Sequence, residues 1–195
     1  YISDAIARGA NVIIYENSSV LPHDVLCLLK EDHHQVSAIP LANCQQRLGV
    51  LGARFYGFPS QQMLGIGVTG TNGKSTVSYL IAAIYDYMQL KCGMMGTLGL
   101  GPISELRPSP LTTLGALDMQ KELATLVVEG DEAFAFEASS HGLSQARLNG
   151  VSIDTAIMTN VAMDHADYHG SRAAYIAAKE KLFAMARRHV VVNFD

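Results

Sequence analysis

The chain has 195 residues, of which 49% are hydrophobic and 16% charged, and carries a formal net charge of −4. That length and apolar content suffice for one domain with a substantial core, or for one domain and part of another, in a soluble globular protein. The acidic balance, with no basic run and no interleaving of aromatic and basic residues, argues against a nucleic-acid surface, and no stretch approaches the ~20 apolar residues of a membrane helix.

In chain order, residues 11–15 and 36–41 read as strands and 43–56 as a helix with Leu48, Leu51 and Phe55 on one face. Gly57-Phe58-Pro59-Ser60 breaks this pattern and marks the expected boundary between a partial first domain, 1–60, and a second domain, 61–195. Beyond it, short apolar runs at 63–68, 92–96, 133–137, 155–160 and 189–193 alternate with helical patterns at 74–88, 114–128 and 172–188. Such alternation implies an α/β fold: a central, mostly parallel sheet with flanking helices, preceded by part of a smaller α/β domain. Residues 99–110, with two glycines and three prolines, read as a mobile loop. Cys27, Cys44 and Cys92 form no Cys-x-x-Cys pair, so reduced thiols in a cytoplasmic protein are expected, with Cys92 a core residue rather than a nucleophile. The chain opens at Tyr1 with no basic-then-apolar leader and reads as cut from something longer.

The run Ile66-Gly67-Val68-Thr69-Gly70-Thr71-Asn72-Gly73-Lys74-Ser75-Thr76 passes from an apolar strand through a glycine turn into a helix. Successive N–H groups there can converge on an anion at the helix N-terminus. Lys74 would reach the outer phosphates of a nucleotide, and the Ser75 hydroxyl would sit where a nucleotide-bound Mg²⁺ needs an oxygen. The common phosphate-loop spacing would put its first glycine at Val68, so this loop is a variant.

An α/β sheet binds ligands at the carboxyl ends of its strands, and these ends are polar here. Ala133-Phe134-Ala135-Phe136 closes on Glu137, which reads either as a Mg²⁺ ligand or as a cap for the next helix. Ala156-Ile157-Met158-Thr159 closes on Asn160 and runs into Asp164, His165, Asp167, Tyr168, His169 and Gly170. His165 and His169 have the spacing of paired zinc ligands on a helix, but nothing completes the set and Gly170 argues against a helix through them; each also reads as a hydrogen-bonded structural residue. Lys179 and Lys181, without further context, are solvated charges on an alanine-rich helix.

Taken together, Gly70-Thr71-Asn72-Gly73-Lys74-Ser75-Thr76, Glu137-x-Ser139-Ser140-His141-Gly142-Leu143-x-Gln145-x-Arg147, Thr159-Asn160, Asp164-His165-x-Asp167-Tyr168-His169-Gly170 and Ala178-Lys179 resemble the Mur ligases of bacterial cell-wall synthesis. Order and spacing look most like the members that add the third residue of the peptide, meso-diaminopimelate being the amino acid expected. The resemblance implies an ATP-dependent amide ligase in which ATP phosphorylates a carboxylate of a UDP-N-acetylmuramoyl-dipeptide and a diamino acid attacks the acyl phosphate. It implies a nucleotide site at Gly70, Thr71, Asn72, Gly73, Lys74, Ser75, Thr76 and Asn160. Mg²⁺ ligands would be Ser75, Glu137, His165 and Lys179, the last as a carbamate, with Lys74, Glu137, His165 and Lys179 catalytic. Thr112, Thr113, Ser139, Gln145 and Arg147 would hold the muramoyl-dipeptide, Arg147 otherwise reading as a surface ion pair.

Departures from the family pattern are Val161, Ala162, Met163 and Ala166 around the Asp-His pair, and Leu114 in place of a proline after the threonine pair. The resemblance further implies a monomer, with 1–60 the later part of a UDP-substrate domain, 61–195 a central ATP-binding domain, and a third, ligase domain missing. These residues alone are therefore expected to bind nucleotide without turnover. The competing readings are another Mur-type ligase, such as a folylpolyglutamate synthetase, and a nucleotide-binding module with no catalysis.

Overall fold

The computed structural model describes residues 2–17, 36–162 and 166–193. The chain divides into two compact units, Tyr1–Arg47 and Leu48–Asp195. In the first, helix α1 (Ile2–Ala7) precedes a parallel pair of strands, β1 (Val12–Glu16) and β2 (Ser37–Leu41). Helix α2 (Cys44–Phe55) begins where the Glu16 carboxylate accepts from the N–H groups of Asn43 at 3.0 Å and Cys44 at 2.8 Å. That satisfies orphan donors and sets an anion at the positive end of the helix. The break at Gly57–Ser60 falls inside the second unit: a short 3-10 turn (Pro59–Gln62) buries Pro59 and Ser60, and the Ser60 hydroxyl accepts from Ser152 N–H at 2.9 Å.

The second unit is built on a six-stranded sheet ordered β5-β4-β6-β3-β7-β8, parallel except for β5. Its elements in sequence are β3 (Leu64–Thr69), α3 (Lys74–Tyr87), β4 (Cys92–Gly96), β5 (Gly99–Gly101), α4 (Ala116–Glu129), β6 (Ala133–Glu137), α5 (Ser140–Ser144), β7 (Ile153–Met158), α6 (Ala166–His169), α7 (Arg172–Met185) and β8 (Ala186–Val192). All five expected strands and three helices of this region are present, β4 and β6 with the expected ends and the others with shifted ones. The largest shift is at α7, which stops at Met185 and passes directly into β8.

The central strand β6 explains the layers. Every residue of Ala133–Glu137 is buried, as expected of a parallel strand covered on both faces. Phe134 and Phe136 point to one face, into a core with Leu123 and Leu126 of α4, Leu143 of α5 and Leu182 of α7. Ala133 and Ala135 point to the other, packing with Met94, Cys92 and Ala82 of α3. The neighbouring strand leaves room for the two rings: a Cβ at Gly65 would lie 2.7 Å from Phe134 Cζ, and one at Gly67 2.9 Å from Phe136 Cζ. Each buried phenyl group contributes on the order of 1.5–3 kcal/mol relative to exposure.

The connections leaving β3 and β6 run to opposite faces, α3 on one and α5 on the other. The sheet therefore has a switch point between two adjacent strands, the place where such folds bind ligands.

Residues 99–110, expected as a mobile loop, are partly regular. Gly99–Gly101 pairs antiparallel with β4, and Leu100 exchanges both backbone bonds with Arg107 at 2.8 and 2.9 Å. Arg107 in turn pairs with the carboxylate of Glu122 on α4, a residue only 7% exposed. The composition of this stretch signals turns but carries no trace of that long-range ion pair. Among the described residues no helix is long and apolar enough to cross a membrane.

Candidate functional site

At the switch point β3 ends beside the end of β6, with Val68 opposite Glu137. Beyond Thr69 the chain turns at Gly70, where φ is +145° and a Cβ would stand 1.9 Å from Thr159 Oγ1. Only glycine meets both conditions. Helix α3 then starts from Gly73 with no side-chain cap, whereas α5 and α7 are capped by the Ser139 and Ser171 hydroxyls. The first intrahelical bond of α3 goes from Val77 N–H to Gly73 O at 3.0 Å, so the N–H groups before Val77 are not used within the helix, and Gly73 has no side chain with which to cap them. An uncapped helix start after a glycine turn is an anion cradle.

Two lysines converge on the same loop. Lys74 Nζ donates to Gly70 O at 3.1 Å and Thr71 O at 3.0 Å, while Lys179 Nζ, from α7, donates to Gly70 O at 2.7 Å. Lys179 is 1% exposed and its Nζ lies 4.4 Å from the centroid of the Tyr175 ring. The solvated helix-face charge that the local sequence suggests is thus a buried group at the loop.

Asn160 stands against the loop, not beyond it. Its Oδ1 accepts from Asn72 N–H and its Nδ2 donates to Asn72 O, both at 3.0 Å. Thr159 Oγ1 adds a bond to Asn72 O at 2.6 Å.

Glu137 is 1% exposed, with Oε1 accepting from Thr97 N–H at 2.6 Å. A Cβ at Gly96 would sit 2.2 Å from that oxygen, so the glycine that closes β4 is what lets the carboxylate lie there. Among the described residues no lysine or arginine pairs with Glu137. A buried carboxylate without a cation is costly, and a metal ion beside it would offset that cost. The Glu137 side chain does not cap α5; Ser139 does that, accepting from Gly142 N–H at 3.1 Å. A divalent cation held by hard oxygen donors fits this position.

Thr97 carries the site onward, its hydroxyl donating to Thr112 Oγ1 at 3.1 Å. Thr113 Oγ1 donates to Glu137 O at 2.7 Å, lies 2.9 Å from Ser139 Oγ and accepts from Ser139 N–H at 2.9 Å. Arg147 Nη1 donates to Thr113 O at 2.8 Å, and its Nε and Nη2 both donate to Gln145 Oε1, at 2.9 and 2.6 Å. All its acceptors are neutral oxygens; no carboxylate pairs with Arg147 among the described residues. The surface ion pair that was the other reading of this arginine is absent there. Gln145 Nε2 donates to Tyr168 OH at 3.3 Å, and rings continue from Tyr168 to His141, centroids 4.0 Å apart, and from His169 to Tyr175 at 5.3 Å.

The fold thus gathers Gly70–Lys74, Asn160 and Lys179 on one side and Glu137, Thr112, Thr113, Ser139, Gln145 and Arg147 on the other, at one end of the sheet. Ser75 and Thr76 lie in the first turn of α3. His165 lies outside the described residues. Among those described, no three His, Cys, Asp or Glu side chains are grouped to hold a metal. His169 sits in α6, a helical turn that ends at Gly170 with φ +69°. Sequence reasoning passed over Thr97 and Tyr175 and named Tyr168 only as part of a motif, without a role. Thr97 was within reach of the same rule that found Glu137, since it follows the last residue of β4.

Residues 68–195 match the model of the Mur ligase middle domain. This chain belongs to the Mur ligase family. A similar curated Mur ligase is the UDP-N-acetylmuramoyl-L-alanyl-D-glutamate–2,6-diaminopimelate ligase of Pseudomonas putida, 44% identical over 196 residues, covering 100% of this chain and 38% of the relative. A solved structure of a ligase of that name superposes with a TM-score of 0.80 at 34% identity, over 100% of this chain and 37% of its own. A folylpolyglutamate synthase structure from Mycobacterium tuberculosis shares the fold, with a TM-score of 0.59 at 16% identity over 76% of this chain and 41% of its own. The Mur ligase chain described here therefore spans well under half the length of the relatives it matches.

Proposed function

We propose that this chain is the nucleotide-binding part of an ATP-dependent amide ligase that joins an amino acid, meso-diaminopimelate, to UDP-N-acetylmuramoyl-L-alanyl-D-glutamate. The observation that carries the reading is the meeting, at one sheet end, of a helix start that follows a glycine turn and, among the described residues, a buried carboxylate without a cation and a guanidinium without a carboxylate. Phosphorylating a carboxylate brings two anions together, which requires fixed donors and concentrated positive charge. Lys74 and the N–H groups opening α3 would hold the ATP phosphates. Ser75, Glu137 and His165 would hold Mg²⁺, which when bound neutralises charge on the transferring phosphoryl group. Arg147, propped by Gln145 and Thr113, would take a carboxylate of the dipeptide, with Thr112 and Ser139 orienting it. In this reading Lys179 serves as a carbamate, its CO₂ adduct turning a buried ammonium into an oxygen ligand. Residues 1–60 would belong to a domain for the UDP-bearing substrate and 61–195 to the ATP-binding domain, in a cytoplasmic, monomeric enzyme.

The test is a ligation assay on the complete gene product with MgATP, UDP-N-acetylmuramoyl-L-alanyl-D-glutamate and meso-diaminopimelate. ADP, phosphate and tripeptide product in equal amounts are expected. Turnover with a folate and glutamate instead would transfer the chain to the folylpolyglutamate group, and ADP formation independent of any acceptor would remove the ligase reading.

A further inference from the structure

We infer that Thr71 is a positioning residue, whose hydroxyl pins the crest of the phosphate loop to the segment after β7 and to α7 instead of touching a nucleotide phosphate. The inference rests on the phosphate-cradle reading above and assigns one of its residues a different kind of work.

Thr71 Oγ1 has three close partners: Ala162 O at 3.1 Å, Ala162 N at 2.9 Å and Tyr175 OH at 3.0 Å. A hydroxyl has one proton to give and two lone pairs to receive. With the proton on Ala162 O, the lone pairs take Ala162 N–H and the Tyr175 hydroxyl, and no capacity remains for a phosphate oxygen. The backbone N–H of Thr71 is also used, donating to Asn160 O at 3.0 Å. Neither donor of this residue is left for an anion. Its neighbour Asn72 is fixed the same way, N–H and C=O both held by the Asn160 amide. The backbone N–H groups of the two crest residues are thus both committed to Asn160.

Tyr175 makes the arrangement more than a local turn. It is 2% exposed, sits one helical turn before Lys179, and its ring flanks Lys179 Nζ while its hydroxyl meets Thr71. Lys179 Nζ reaches Gly70 O. Two adjacent loop residues are therefore held by two side chains of one helix face, which couples the shape of the cradle to the placement of the buried lysine. Preorganised donors act only as well as their geometry is held, so loosening this latch should weaken phosphate binding without removing a phosphate contact.

The experiment is calorimetric titration of MgADP into the complete gene product, as wild type, Thr71→Val, Thr71→Ser, Tyr175→Phe and the Thr71→Val/Tyr175→Phe pair, with KM measured for ATP and for the dipeptide substrate. Thr71→Val is expected to weaken MgADP about tenfold, Tyr175→Phe about threefold, and Thr71→Ser to restore most of the loss. The pair should be no weaker than Thr71→Val alone, because both changes break one shared bond. KM should rise for ATP and not for the dipeptide. Losses that multiply in the pair, a serine variant as weak as valine, or full affinity in Thr71→Val would each overturn the inference while leaving the cradle intact. A neutral Tyr175→Phe would also overturn it, and settles the matter should Thr71→Val fail to fold. Absence of MgADP binding by the wild type would remove the cradle itself and this inference with it.

Discussion

The two halves of the site hold charge by different means. On the side proposed for phosphate, side chains serve the main chain: Asn160, Thr159 and Thr71 bond to backbone groups at and around the glycine turn, and both lysines end on loop carbonyls. On the side proposed for the peptide, the side chains hold one another, with Thr113 against Ser139, and Arg147 on Gln145, which reaches Tyr168. An anion bound by N–H groups depends on the shape of a loop, and most side chains there matter only through that shape. An anion bound by a guanidinium depends on the aim of one residue. Perturbations on the first side should therefore act on the chemistry as a whole, and those on the second should fall selectively on one substrate.

The largest effect is expected at Lys179. Its replacement by alanine removes the buried amine at the loop and, with it, any carbamate, and turnover of the complete gene product should fall by about 10³ or more, on the scale of losing a group that stabilises the transition state. Added bicarbonate should not restore it. A Lys179→Ala enzyme with near-normal kcat would show that the loop works by backbone alone. Next comes Gly96→Ala, where the new methyl group falls 2.2 Å from Glu137 Oε1 and must push the carboxylate off the Thr97 N–H. Displacing a reacting-site group by about an ångström can cost ~10² in rate. The loss should appear in kcat, with MgADP affinity changed little; a loss confined to dipeptide binding would place Glu137 in the peptide half instead.

The same division governs what the sequence disclosed. Glycines, a lysine and a serine at fixed spacing betray a turn that leads into a helix, and so the glycine turn at Gly70 and the helix that begins at Lys74 were legible. Strand-end polarity gave Glu137, and the motif order gave Lys179, which local composition alone would have left on the surface. The roles of Thr97, Tyr168 and Tyr175 escaped, even though Tyr168 stands in a motif, because each is a contact across 15 to 104 residues of chain with nothing local to mark it. Elements followed the same logic: β4 and β6 were read to the residue because a strand buried on both faces is a continuous apolar run. The short β5 was missed because its partner, β4, and its anchor through Arg107 to Glu122 are tertiary facts.

On the peptide side, Arg147→Gln should keep some of the packing and lose the charge. KM for the UDP-muramoyl-dipeptide is expected to rise about 10- to 100-fold, the range for losing a charge-assisted bidentate contact, with KM for ATP unchanged. An equal rise in both would erase the distinction between the halves.

The smallest effect is a control at the opposite end of the sheet, where Cys92 opens β4 beside a cavity of about 630 Å³ whose lining includes Ala82, Leu90 and Asp131. Burial, and then the charge of Asp131, push the Cys92 thiol up to about 12, and the Tyr85 phenol is raised as well, by burial and then by Cys92. An unfolded chain releases the thiol proton near pH ~8.5. Between there and about 12 the native state holds a proton that the unfolded state has shed, so this group's contribution to stability is complete below about pH 8.5 and declines as pH rises. Cys92→Ala removes that decline. Urea midpoints of the two proteins should draw together, or cross, between about pH 8 and 10.5, with the variant losing less over the interval. Its kcat and both KM values should match the wild type at neutral pH, because the thiol lies at the end of β4 away from both charged halves of the site. A wild-type midpoint no more sensitive to alkali than that of the variant would show that the thiol ionises in the native state as readily as in the unfolded chain.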